Sequence, residues 1–245
     1  MSEGKERTDM RRTSLVCVPF AGAGASFFHP WAALTDGAPR IIALQLPGRE
    51  WRLSEDPYRN VAEAAAGLLP AVTGELEPGE RIAVFGHSLG AVLAYELAHL
   101  LVARSDAEVV RLFVSGSPGP WTRRTRRATG LPDEAFLARV KEFAKYDHEA
   151  LADPDMRELI LPTLRADVEM HENYVPVTDR PLPRPITAVR GTGDDLVTAA
   201  QTAEWLQATS AEFAQEEIEG GHMYLAEDPG SLLRLVNDEL AHREY

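Results

Sequence analysis

A single cysteine, Cys17, stands in a chain of 245 residues. No intramolecular disulfide can form, and a cysteine-rich zinc centre lacks its ligands. Cys17 falls in the apolar run Leu15-Val16-Cys17-Val18, so a small core hydrophobe is expected there, not a reactive thiol. Positive charge is also short: 25 Lys and Arg face 38 Asp and Glu, a formal net charge of −13. That balance argues against nucleic acid or an anionic membrane as the main partner. The first fourteen residues hold no apolar h-region, and no run reaches membrane-spanning length, so the cytoplasm is the expected location. There is no H-E-x-x-H, and Gly22-Ala23-Gly24 lacks both the G-K-[ST] ending and the G-x-G-x-x-G spacing. No metal site, nucleotide site or cofactor is therefore expected.

What the chain does have is alternation. Hydrophobic residues make up 44% and charged residues 26%, enough for one sizeable core. Strands are expected at Leu15 to Pro19, Arg40 to Leu46, Arg81 to Phe85, Arg111 to Ser115, Ile186 to Arg190 and Glu212 to Ile218. Between them fall helical patterns at Phe27 to Leu34, Val61 to Val72, Ala91 to Val102 and Ala199 to Thr209, with a last one at Leu232 to Ala241. Short apolar runs separated by helix-length segments imply right-handed βαβ units, a mainly parallel sheet and helices on both faces. The alternation breaks between Gly116 and Arg184, where helical patterns at Asp133–Ala144 and Asp153–Tyr174 are framed by prolines. The expected organisation is a polar tail at 1–13, an α/β core over 14–115 and 185–245, and a helical lid inserted at 116–184.

The densest signal is Gly86-His87-Ser88-Leu89-Gly90, between a strand and a helix. Strand, G-x-S-x-G, helix is the nucleophile-elbow pattern of α/β-hydrolases, in which a strained turn presents a serine at the carboxyl edge of the sheet. A serine hydroxyl needs a histidine to take its proton and an acid to hold the histidine's tautomer, in the chain order Ser, acid, His. Asp194, in Gly191-Thr192-Gly193-Asp194-Asp195, follows a strand and is the preferred acid; its neighbour Asp195 stays open as an alternative. His222, in Gly220-Gly221-His222-Met223, follows the last strand, on a loop that paired glycines let turn toward the elbow. His29, His99, His148, His171 and His242 fall on helices or in the insertion, and His87 should point away from Ser88. An oxyanion hole needs two backbone donors: Leu89, after the nucleophile, and Ala21, from the one early glycine-rich loop at a strand end. Arg123, Arg124, Arg126 and Arg127 form a basic run at the start of the insertion, readable as a solvated loop or as a docking patch for an acidic partner.

Taken together, Pro19-Phe20-Ala21-Gly22, Leu46-Pro47-Gly48-Arg49, Gly86-His87-Ser88-Leu89-Gly90 and Gly220-Gly221-His222 closely resemble the type II thioesterases, from about Leu15 to the C-terminus. These are discrete α/β-hydrolases that accompany polyketide synthases and nonribosomal peptide synthetases. The resemblance implies a substrate: an acyl group held as a thioester on the phosphopantetheine arm of an acyl or peptidyl carrier protein. It also implies a housekeeping role, clearing stalled acyl groups, with no cofactor beyond that arm. By similarity Ser88 would attack, His222 would act as base and then acid, Asp194 would orient it, and Ala21 and Leu89 would hold the oxyanion. A monomer is compatible with these features. Competing readings are a small-molecule carboxylesterase on the same scaffold and a non-catalytic binding protein.

Overall fold

A computed structural model describes residues 13–35, 39–144 and 153–241. The expected tail lies outside these residues apart from Thr13, as do His148 and His242. Six strands form one sheet: β1 (Ser14–Val18), β2 (Arg40–Ala43), β3 (Arg81–His87), β4 (Glu108–Ser115), β5 (Ile186–Gly191) and β6 (Phe213–Ile218). Their order is β2-β1-β3-β4-β5-β6, and every pair is parallel. Between and after them run α1 (Trp31–Leu34), α2 (Val61–Thr73), α3 (Leu89–Arg104), α4 (Asp133–Ala144), α5 (Pro154–Glu172), α6 (Ala199–Ala203), α7 (Tyr224–Glu227) and α8 (Pro229–Ala241). This is the α/β-hydrolase architecture, with α4 and α5 inserted between β4 and β5.

The sheet is buried on both faces, so its strands read as continuous apolar runs rather than alternating ones. Alternate residues of β1 still go to opposite sides. Val16 and Val18 join α2 and α3 in one core, whereas Leu15 and Cys17 join Phe28, Trp31, Phe85 and α8 in the other. Cys17 is fully buried, and burial pushes its thiol well above its ordinary value, which suppresses the reactive thiolate. The helix α3 is buried on nearly every side, because it lies between the sheet and α2. By contrast α8 buries only a stripe of Leu232, Leu233 and Val236, each contributing roughly 1.5–3 kcal/mol on burial.

Element ends differ from the sequence expectations for local reasons. The expected helix from Phe27 to Leu34 is a 3₁₀ turn at Ala25–Phe28 followed by α1, parted near Pro30, which has no N–H to continue the ladder. The expected helix from Ala199 to Thr209 is α6 followed by a 3₁₀ turn at Glu204–Ala208. Within that turn Trp205 is wholly buried and donates its indole N–H to the Ser117 carbonyl at 2.9 Å. Strand β2 ends at Ala43; just beyond it the Leu44 amide still donates to the Cys17 carbonyl at 3.0 Å, and the Gln45 side chain accepts the Ala25 amide at 2.9 Å.

The strand order places the functional loops. From β1 the chain crosses to the edge strand β2 and then returns to β3 on the other side of β1. The loops after the neighbouring strands β1 and β3 therefore diverge, and a crevice opens where they part. The segment Phe20–Ser26 leaves one side of that crevice and the Ser88 turn leaves the other.

Candidate active site

Ser88 links β3 directly to α3, with φ 53° and ψ −114°. A non-glycine residue in that region is strained by about 1–3 kcal/mol and persists only where its surroundings enforce it. Here the enforcement comes from close backbone approach on both flanks. A Cβ on Gly86 would lie 1.9 Å from the Gly90 carbonyl oxygen, and one on Gly90 would lie 2.5 Å from the Val18 carbonyl oxygen. The Leu89 amide opens α3 and has no intrahelical acceptor. Across the crevice, the amides of Gly22, Ala23, Ala25 and Ser26 donate to Asp167, the Phe20 carbonyl, Gln45 and Glu50 respectively. The Ala21 amide has no acceptor among the described residues, and Ala21 lines the same cavity as Ser88.

His222 and Asp194 meet. The ring Nδ1–H donates to Asp194 Oδ2 at 2.8 Å, and the other carboxylate oxygen accepts the amides of Leu196 and Val197 at 2.8 and 3.1 Å. Burial pushes the Asp194 carboxyl up, but the His222 hydrogen bond and charge and the two amides outweigh it, leaving the group below its ordinary value. Asp194 thus stays ionised and holds the proton of His222 on Nδ1, leaving Nε2 as the free base. Asp195 is exposed. The loop is tied down by Arg190, whose guanidinium donates to the carbonyls of Asp194 and Val197 at 3.2 and 3.0 Å. Of the paired glycines before His222, only Gly220 carries the strain. It has φ 128° and a would-be Cβ 2.8 Å from Tyr224 Cβ, whereas Gly221 has open space.

His87 does not face the cavity that Ser88 lines. It is fully buried, its Nδ1 bonds Ser115 Oγ at 2.8 Å, and Ser115 Oγ in turn bonds the Tyr224 hydroxyl at 2.7 Å. Its ring lies 4.8 Å from that of His222. Burial first, and the His222 charge second, hold His87 well below the usual imidazole range. It therefore remains neutral and does not oppose a positive charge on its neighbour.

Ser88 and His222 open onto one cavity of about 660 Å³, a size suited to a small organic group. Its apolar wall includes Phe27 from the first loop, Val140 from α4, and Leu159, Ile160, Leu164 and Val168 from α5. The inserted helices thus roof the site. Two polar groups in the roof, His171 and Arg124, were not expected from the sequence to lie beside the nucleophile. His171 has an Nε2 without a hydrogen-bond partner among the described residues and is held well below its ordinary value by burial and then by Arg124. Arg124 donates Nε–H to the His171 carbonyl at 3.3 Å, and burial pulls it down to about 10. The helical periodicity of α5 was visible, but which turn of it faces Ser88 depends on how the insertion folds back.

The four arginines of the run have different surroundings. Arg124 is half-buried inside the cavity, Arg126 pairs with Glu142, and Arg127 pairs with Glu172 at 3.5 Å. Arg123 is exposed at the cavity wall with no ionic partner among the described residues. Among the described residues no cluster of His, Cys, Asp or Glu could hold a metal ion, and no helix is long and apolar enough to cross a membrane.

A family model described as a thioesterase domain matches residues 13–240. The chain belongs to the thioesterase family. It is 33% identical over 226 residues to thioesterase PikA5 of Streptomyces venezuelae, spanning 92% of this chain and 80% of that one. Among solved structures, the RedJ thioesterase from the prodiginine pathway of Streptomyces coelicolor is 31% identical with a TM-score of 0.84, covering 93% of this chain and 85% of its own. YbtT, described as a type II thioesterase from the yersiniabactin pathway, is 27% identical with a TM-score of 0.85, covering 96% and 95%. Family, fold and elbow agree: this thioesterase is a serine hydrolase of the type II group.

Proposed function

We propose that this thioesterase removes acyl groups from the phosphopantetheine arms of acyl or peptidyl carrier proteins, as a cytoplasmic, monomeric housekeeping enzyme of polyketide or nonribosomal peptide assembly. The observation that carries the reading is the His222–Asp194 hydrogen bond, with His222 and the strained Ser88 lining one cavity. In this reaction His222 Nε2 takes the Ser88 proton as Oγ attacks the thioester carbonyl. The amides of Ala21 and Leu89 receive the developing oxyanion. His222 then protonates the departing phosphopantetheine thiol, and the acyl group remains as an ester on Ser88. A water, deprotonated by the same imidazole, attacks that ester and releases the free acid. Asp194 keeps the imidazole oriented throughout and stabilises its positive form.

The apolar cavity suits an acyl chain, and Arg123 at its wall offers a positive point on an otherwise acidic protein for the acidic surface of a carrier. The reading is tested with one carrier protein loaded with acyl groups of increasing length, assayed against the wild type and Ser88→Ala. The wild type should release carrier-bound acyl groups in preference to free oxyesters, and the variant should lose about 10⁴–10⁶ in turnover. A variant retaining more than about a tenth of the activity would remove Ser88 as nucleophile. Preference for free oxyesters would favour a carboxylesterase instead.

A further inference from the structure

The residues that hold the Ala21 loop in place come from far along the chain. Asp167 sits on α5, in the insertion, and is 1% exposed. Its Oδ2 accepts the Gly22 amide at 2.8 Å. The same carboxylate takes both arms of the Arg49 guanidinium, at 2.7 Å each. Arg49 closes the square: its Nη1 also donates to the Ala23 carbonyl at 2.9 Å. The two residues that follow Ala21 are therefore clamped by one buried fork, Gly22 through its N–H and Ala23 through its C=O.

We propose that Asp167, with Arg49, is a positioning residue for catalysis. It sets the direction of the Ala21 amide, so that the roof helix α5 and the oxyanion donor move as one unit. This rests on the reading that Ala21 supplies an oxyanion donor. The physical reason is that a hydrogen-bond donor works only when preorganised at the place where charge develops. Ala21, Gly22 and Ala23 carry no side chain longer than a methyl, and the loop's remaining ties lie further along, at the amides of Ala25 and Ser26 to Gln45 and Glu50, apart from the Ala23 amide's turn bond to the Phe20 carbonyl. A planar guanidinium against a carboxylate has the rigid two-point geometry that a lysine could not supply. The clamp also explains the use of arginine in the Pro47-Gly48-Arg49 turn: its side chain spans from the turn to α5 and the first loop.

The test compares Asp167→Asn with Glu169→Gln. The second change removes a different tie of α5, the exposed pair between Glu169 and Arg59 at 2.6 Å. With a small acyl thioester that needs no carrier, Asp167→Asn should lower kcat by about 10- to 100-fold while KM shifts less than about threefold, because the misplaced donor matters only once the oxyanion forms. Binding of a trifluoromethyl ketone, which forms a tetrahedral oxyanion on serine, should weaken by the same factor as kcat/KM. Glu169→Gln should leave both unchanged. A folded Asp167→Asn protein with kcat within about threefold of wild type overturns the proposal, and so does an equal loss in Glu169→Gln. Should Asp167→Asn not fold, Arg49→Lys carries the same test with the same two outcomes, since it keeps the charge and loses the fork. With Ser88→Ala inactive, those negative results remove the clamp alone; an active Ser88→Ala protein removes the underlying catalytic reading.

Discussion

The elbow glycine Gly86 gives the sharpest prediction. A Cβ added there would sit 1.9 Å from the Gly90 carbonyl oxygen, 2.3 Å from the carbonyl carbon and 2.8 Å from the Ala91 nitrogen. All three are backbone atoms, so no side chain can swing away. Real Cβ contacts essentially never fall below 3.0 Å, so in Gly86→Ala the first turn of α3 must retreat from β3 by at least about 1.1 Å. That turn begins with Leu89, whose amide is the second oxyanion donor in the proposed reaction, and it follows Ser88 immediately. A misplacement of about 1 Å in a reacting group costs on the order of 10² in rate, and crowding of this kind destabilises by about 1–3 kcal/mol. For a domain of this size that is a fall in Tm of about 2–12 °C. The assay is hydrolysis of a small acyl thioester followed by thiol release, together with a thermal melt of the same preparation. Gly221→Ala is the internal control, because its Cβ meets nothing within 4 Å and its φ is not left-handed. It should melt with the wild type. A Gly86→Ala protein with wild-type Tm and kcat/KM within about twofold would refute the idea that close packing, rather than mere habit, requires glycine in the elbow.

Two further predictions concern charge. Asp194→Asn should cost about 10⁴ in kcat, since an amide cannot fix the working tautomer of His222, whereas the exposed Asp195→Asn should stay close to wild type; equal losses in the two would refute the assignment. Because the folded Asp194 carboxyl lies below its ordinary value, its stabilising contribution is present above the unfolded value near ~3.9 and fades as pH falls through the lowered folded value, so the stability gap between wild type and Asp194→Asn, read from chemical melts across pH, should narrow below about pH 4. Arg123→Glu should raise KM for carrier-bound acyl groups at low salt, lose that effect as salt rises, and leave a small thioester unaffected; unchanged KM on the carrier would remove Arg123 from docking.

The sequence by itself determined what rests on local geometry. A tight strand-to-helix turn needs Gly86 and Gly90 beside Ser88, and such a turn is written in five consecutive letters. Strand ends followed by Asp194 and His222 put both at one edge of a parallel sheet, because every strand of such a sheet points the same way. Other features came only from tertiary packing. That Asp194 rather than its neighbour Asp195 meets the His222 ring depends on the path of the turn, which no spacing rule reports. The basic run looked like one patch, yet folding sends Arg124 into the cavity and gives Arg126 and Arg127 acidic partners, leaving Arg123 exposed without one among the described residues. Asp167 lies 118 residues from Arg49, and His171 sits a turn further along the same helix. Neither stands in a pattern of its own. Their placement arises because α5 folds back over the sheet edge, where it packs against loops from the opposite end of the chain.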